Sequence, residues 1–244
     1  MSHAIQAQAH YALGRNVFLC VCGQDFVLLD LARDKYLALE MPHASGLSTL
    51  VRGWPAARTQ TPAATPEDSG SMAKALLDRG LLTLDLATGK DATPIELPTP
   101  TEEITADGAG ERPAIRASEV ASFMIACVTG RFLRGRRSVE HIVERVRRRR
   151  DEAGFVAHEF DVQLARRLIA AFDSMRSLFF STHNLCLLES IVLLELLSRY
   201  SLYPNWVFGV QVRPFAAHCW LQHDDLVLND TLDHVTRYTP IMVV

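Results

Sequence analysis

The chain has 244 residues, 48% of them hydrophobic and 22% charged, which is enough apolar material for one large or two small packed cores and excludes a disordered chain. A formal net charge of −3 gives no general attraction to nucleic acid or to an anionic membrane. Five cysteines, an odd number without paired spacing, exclude a disulfide framework or a recognisable zinc motif and suit a reducing compartment.

The N-terminus lacks a basic segment followed by an apolar one, and no apolar run reaches membrane-spanning length, so a cytoplasmic protein is expected. Residues 17–40, VFLCVCGQDFVLLDLARDKYLALE, read as three short strands in a meander, broken at Gly23-Gln24-Asp25 and at Ala32-Arg33-Asp34-Lys35. Cys20 and Cys22 share one face there and read as small core residues. Helical patterning follows at 43–52 and 71–79, then Gly80 and a closing β-segment, LLTLD. This order suggests a small winged helix-turn-helix unit. Through residue 84, Lys and Arg are matched one for one by Asp and Glu, so the unit has little with which to neutralise DNA phosphates. Peptide binding by strand addition needs no such charge.

Residues 86–113 are rich in Pro, Thr and acid and lack apolar periodicity, the pattern of a flexible linker. A mostly helical stretch runs from Ala114 to about Met175. It carries a basic cluster (Arg131, Arg134, Arg136, Arg137, Arg145 and Arg147 to Arg150), expected to be a solvated helix face, with docking of an acidic segment as the alternative.

The chemistry concentrates in the last third. Cys186 opens the helix of THNLCLLESIVLLELLSRY, which is apolar on nearly every face and so reads as a central buried helix. A thiol at a helix N-terminus meets free N–H groups and the positive end of the macrodipole, and both favour the thiolate. His218 and Asp230 follow in VRPFAAHCWLQHDDLVLND, which reads as a β-hairpin. The imidazole can take the thiol proton and the carboxylate can orient the imidazole. Alternation places His218, Trp220 and Gln222 on one face and Cys219 on the other, so Cys219 is expected to point away from His218 and to be a weak nucleophile candidate. Trp220 is expected to shield the histidine, and His183 lies close enough in sequence to approach it. A tight two-residue turn at Asp224-Asp225 would pair Cys219 with Asp230 and put Asp230 on the wrong face, so an odd-length loop or a bulge is expected. No cofactor and no metal site is expected.

Residues 116–244 resemble the lasso peptide B proteins, the leader peptidases of lasso peptide biosynthesis. The resemblance is carried by Cys186 at its helix start, by VFGVQVRPFAAHCWLQ and by the LND ending at Asp230. One departure is Asp224-Asp225 where that family usually has Asp-Gly. The resemblance implies a catalytic triad of Cys186, His218 and Asp230. It also implies cleavage of the leader–core bond of a precursor peptide, and an ATP-dependent, asparagine-synthetase-like cyclase as the partner that takes the product. The stretches DFVLLDLARDKYLALE and LLDRGLLTLD resemble the PqqD-like domain, which binds leader peptides. That likeness implies a leader site at Lys35, Tyr36, Leu37, Ala38 and Leu39 on the third strand, with Leu76 and Arg79 on the helix opposite. The expected protein is therefore α+β. A PqqD-like recognition domain spans 1–85, a linker 86–113, and a papain- or transglutaminase-like domain of helices on an antiparallel sheet spans 114–244. An amine-accepting acyltransferase on the same fold and a non-catalytic recognition scaffold are the alternatives. No nucleic acid and no membrane partner is expected.

Overall fold

A computed structural model describes residues 10–56, 65–104, 115–154, 160–179 and 186–244. The chain is α+β and divides into two compact units. The first comprises residues 1–96 together with Val210–Ala216, and the second comprises Leu97–Gly209 and Ala217–Val244.

In the first unit the expected meander forms. Strands β2 (Val17–Cys22), β3 (Asp25–Asp30) and β4 (Lys35–Glu40) pair antiparallel in that order, with β3 central and wholly buried. Gly23 (φ +63°) and Asp34 (φ +51°) take the left-handed conformations that the two turns require. The first helical patch resolves into a one-turn helix, α1 (Met41–Ala44), and a 3₁₀ segment, Ser45–Thr49. The second becomes α2 (Pro66–Asp78), which starts earlier than 71 because Thr65 caps the Asp68 N–H at 3.2 Å and Pro66 occupies the first turn. The closing segment β5 (Leu82–Thr83) pairs with β1 (Ala12–Leu13) rather than joining the meander. Phe26, Leu28, Leu47, Trp54, Leu76 and their neighbours fill one apolar core. Buried Asp25 is compensated by Arg213 at 3.0 Å within the same unit.

The stretch expected to be a flexible linker is tied down over its described part. Leu13 N–H donates to Lys90 O at 2.9 Å, and Ala92 is fully buried in the first unit's core. In the second unit, β6 (Glu102–Glu103) joins a sheet as a parallel neighbour of β9 (Leu226–Val227). The short polar sequence hides this because its order comes from backbone hydrogen bonds to partners far along the chain. Residues 105–113 lie outside the described residues.

The second unit packs helices against a five-stranded sheet of order β10-β7-β8-β9-β6. Its remaining strands are β7 (Asn205–Val212), β8 (Phe215–His223) and β10 (Thr239–Val243). Helix α6 (Cys186–Ser198) is buried from Ser190 to Leu197, as its all-round apolar sequence demands. Helix α3 (Ala117–Arg136) crosses it closely at Gly130, where a Cβ would come within 2.6 Å of Val192. Helices α4 (Val139–Gly154) and α5 (Val162–Phe179) complete the layer.

The arginine cluster is in good part internal wiring rather than a plain solvated face. Arg145 and Arg149 reach buried Glu195 of α6 at 3.4 and 3.0 Å, and Arg150 donates to Asn205 Oδ1 and to Val244 O. These guanidinium groups bring charge and donors to acceptors on α6, on β7 and at the last residue of the chain.

Candidate active site

The site is built where the first turn of α6 meets strand β8 and the segment after β9. Cys186 is the first residue of α6, so its backbone N–H has no partner within the helix. One turn on, Ser190 faces the sheet. Its hydroxyl donates to Cys219 O at 3.5 Å, and Cys219 Sγ in turn lies 3.8 Å from that hydroxyl. These contacts fix β8 against the start of α6.

His218 lies on β8 with its ring stacked 6.1 Å from Trp220. Trp220 is buried and donates to Gln222 Oε1 at 3.1 Å, so His218, Trp220 and Gln222 share a face as alternation requires. His218 Nε2 is hydrogen-bonded directly to Asp230 Oδ2, which leaves Nδ1 as the ring nitrogen available to the Cys186 sulfur. The three residues singled out from sequence are therefore assembled as a linked chain of sulfur, imidazole and carboxylate.

The hairpin reaches this arrangement by a route the sequence reading did not anticipate. Its turn is a regular two-residue one, with His223 paired to Leu226 and Gln222 to Val227, and Asp224 holds φ +49°. Neither an odd loop nor a bulge is present in this hairpin. Instead the ladder stops after Leu228 N–H donates to Leu221 O, and the Asn229 side chain replaces the next backbone acceptor by taking the Leu221 N–H at 2.7 Å. The chain bends through residues 228–230, and Asp230 swings to the His218 side. Asn229 is thus a site residue that sequence reading passed over. Its only signal was a turn-forming amide beside the candidate aspartate.

Cys219, expected to point away from His218, packs against Ser190 of α6, and its hydrogen bond toward Cys186 is the largest influence holding that thiol well below the ordinary thiol range. Burial opposes the shift, and the hydrogen bond and charge of His218 add to it. Cys219, almost wholly buried, moves the opposite way because it keeps its proton to donate to the neighbouring sulfur. Burial alone would lower His218, but hydrogen bonds and charge from Asp230 and Cys186 outweigh it and raise the imidazole to about 9. Burial would raise Asp230, yet hydrogen bonds from His218, from the Thr231 N–H at 2.8 Å and from His234 hold it below the usual carboxylate value. The resting site is a thiolate–imidazolium pair backed by a carboxylate, the state in which a cysteine is a competent nucleophile at neutral pH. His183 lies outside the described residues.

Among the described residues one cluster could offer three metal donors: His218, Asp230 and His234, with ligand atoms within 4.8 Å of one another. The donors of His218 and Asp230 are already spent on each other, so the set reads as a hydrogen-bond chain. Also among the described residues, no helix is long and apolar enough to cross a membrane.

In the first unit, Lys35, Tyr36, Leu37 and Arg79 line a cavity of about 400 Å³ with Leu28, Asp30, Arg33, Asp78 and Leu81. It lies between the outer strand β4 and the end of α2. Ala38 is exposed on β4, whereas Leu39 and Leu76 belong to the apolar core.

An ionised thiol at a helix start, with a histidine and an aspartate from the sheet, is an arrangement of the kind that cysteine-dependent acyl transfer uses. Residues 124–243 match the family described as the transglutaminase-like superfamily, so the C-terminal part is a transglutaminase-like domain, of the cysteine-protease or acyltransferase type. Neither a curated protein nor a solved structure gives a significant match to the chain.

Proposed function

We propose that this protein is a leader peptidase of lasso peptide biosynthesis. It binds the leader of a precursor peptide and hydrolyses the leader–core bond through a thioester on Cys186. The observation that carries the reading is the Cys186–His218–Asp230 chain within a transglutaminase-like domain. The Cys186 thiolate attacks the scissile carbonyl, and His218, already protonated, delivers its proton to the departing core amine. Asp230 holds the imidazole and offsets its charge. Water, deprotonated by His218, then releases the leader as a carboxylate and regenerates the thiolate–imidazolium pair. The Cys186 backbone N–H is one donor for the oxyanion.

Leader capture is assigned to the first unit, as a PqqD-like domain with the winged helix-turn-helix order expected from sequence. The support is the sequence likeness together with the position of β4 at the outer edge of its sheet, beside a cavity of suitable breadth. The liberated core amine is the nucleophile that the ATP-dependent cyclase then requires. A cytoplasmic location suits both partners.

The transglutaminase-like match favours one second reading, an acyltransferase in which an amine replaces water. Incubating the protein with a precursor peptide encoded beside its gene, and weighing the products with and without added amines, separates the two. Free leader acid and intact core are expected, with neither formed by Cys186→Ala. A leader amide as the main product would establish the transferase instead, and an unaltered precursor would leave only a recognition scaffold.

A further inference from the structure

Asp230 is held from a second side. His234 lies one helical turn further on, carried by the short helix α7 (Leu232–Val235), and its Nδ1 is 3.0 Å from both carboxylate oxygens. Tyr238, four residues on again, brings its hydroxyl to 3.5 Å from His234 Nε2. The chain of contacts thus runs from Asp230 through His234 to Tyr238. The His218 and His234 rings are 4.5 Å apart, and Tyr238 stands 5.1 Å from the His218 ring. Room for that tyrosine comes from Gly209, where a Cβ would come within 2.9 Å of the Tyr238 Cβ and 2.8 Å of the Trp220 ring.

We infer that His234 is a positioning residue of this site: it holds the Asp230 carboxylate against His218 and thereby sets the strength of the Cys186–His218 pair. The inference rests on the triad reading given above and reaches beyond it to the residue that fixes the third member. The chemistry follows from the donor inventory. An ionised carboxylate can only accept, so the Nδ1 that lies against both Asp230 oxygens is the donor there. The carboxylate then receives donors on both oxygens, from His218, His234 and the Thr231 N–H, and cannot rotate away from the imidazole. A half-buried carboxylate with fewer donors is a weaker partner for an imidazolium, because its own burial is less compensated. Among the described residues, the other titratable groups facing this line are Cys186, Cys219 and Glu103, whose carboxylate accepts the Leu232 N–H at the start of α7.

The test needs no substrate. The full-length protein is alkylated with iodoacetamide across a pH series, and the Cys186-containing peptide is followed by mass. Wild type is expected to react as a thiolate from below neutral pH, with a second rise near 9 as His218 loses its proton. In His234→Ala that second rise should move down by about one pH unit or more, the size expected when one charge-supporting contact is lost. His234→Asn, whose amide can replace the Nδ1 donor, should recover most of the shift. Tyr238→Phe should shift it in the same direction by less, and serves if His234→Ala fails to fold. A second rise left in place in His234→Ala and Tyr238→Phe, whatever their melting temperatures, would overturn the positioning role. A wild-type Cys186 that ionises like an ordinary thiol would sink the triad reading and this inference together.

Discussion

At Cys186 the decisive quantity is which proton sits where. The sulfur has given up its proton while His218 and Cys219 keep theirs, because each of these donates toward the sulfur or the carboxylate. Activity should therefore form a plateau from mildly acidic pH and decline through about 9, where His218 loses its proton. The same raised pKa is a stability term. It is fully present below the unfolded histidine value near 6.5 and is lost as pH rises through about 9. A pH–rate profile of kcat/KM checks the first expectation, and melting temperatures between pH 6 and 10 check the second. Asp230→Asn should reduce kcat by up to about 10⁴-fold while leaving the fold intact, as when a triad carboxylate loses its charge. A loss below tenfold would remove Asp230 from the mechanism.

At the scale of elements, the hairpin and α6 carry the account. Asn229 ends the β8–β9 ladder by substituting its side chain for a backbone acceptor, and that substitution turns Asp230 toward His218. Asn229→Ala should cost about 1–3 kcal/mol of stability by orphaning the Leu221 N–H. It should also lower kcat more than its melting temperature alone explains. Equal kcat in the variant would show that the bend holds without it. Glu195 makes a parallel case inside α6. Replacing it with Gln leaves Arg145 and Arg149 without their buried partner. Both guanidinium groups are about a third exposed, so solvent screens them and the expected loss is only about 1–2 kcal/mol. Chemical denaturation measures it directly.

These elements also show what sequence could and could not say. The helix beginning at Cys186 was legible because its apolar residues leave no polar face, and the strand through His218 because its neighbours alternate. The hairpin register was not, since a one-residue difference in where a ladder ends depends on a single side-chain hydrogen bond. For Cys219 sequence went only part of the way: alternation sets its face apart from His218 but does not say which helix covers that face.

Over the whole molecule, local pattern foretold the α+β class, the meander and the buried C-terminal helix. Pairings between distant segments escaped it. Glu102–Glu103 beside Leu226–Val227, and Lys90 against Leu13, have no periodic signature, so residues 86–104 read as linker when they are ordered. Under the proposed function, the cavity beside β4 is where the first unit would take the leader. Lys35→Glu and Arg79→Glu, tested separately in the full chain, should raise KM for a leader-bearing peptide severalfold with little change in kcat. They should have no effect on a peptide lacking the leader. An unchanged KM would place recognition elsewhere.

The proposed chemistry passes through a covalent leader–enzyme intermediate on Cys186. Acid-quenching the reaction in its first turnovers and weighing the intact protein looks for that species itself. A transient gain equal to the mass of the leader acyl group is expected, mapped to the Cys186 peptide and absent in Cys186→Ala. Leader release with no such adduct at any quench time, or an adduct on Cys219, would overturn the mechanism.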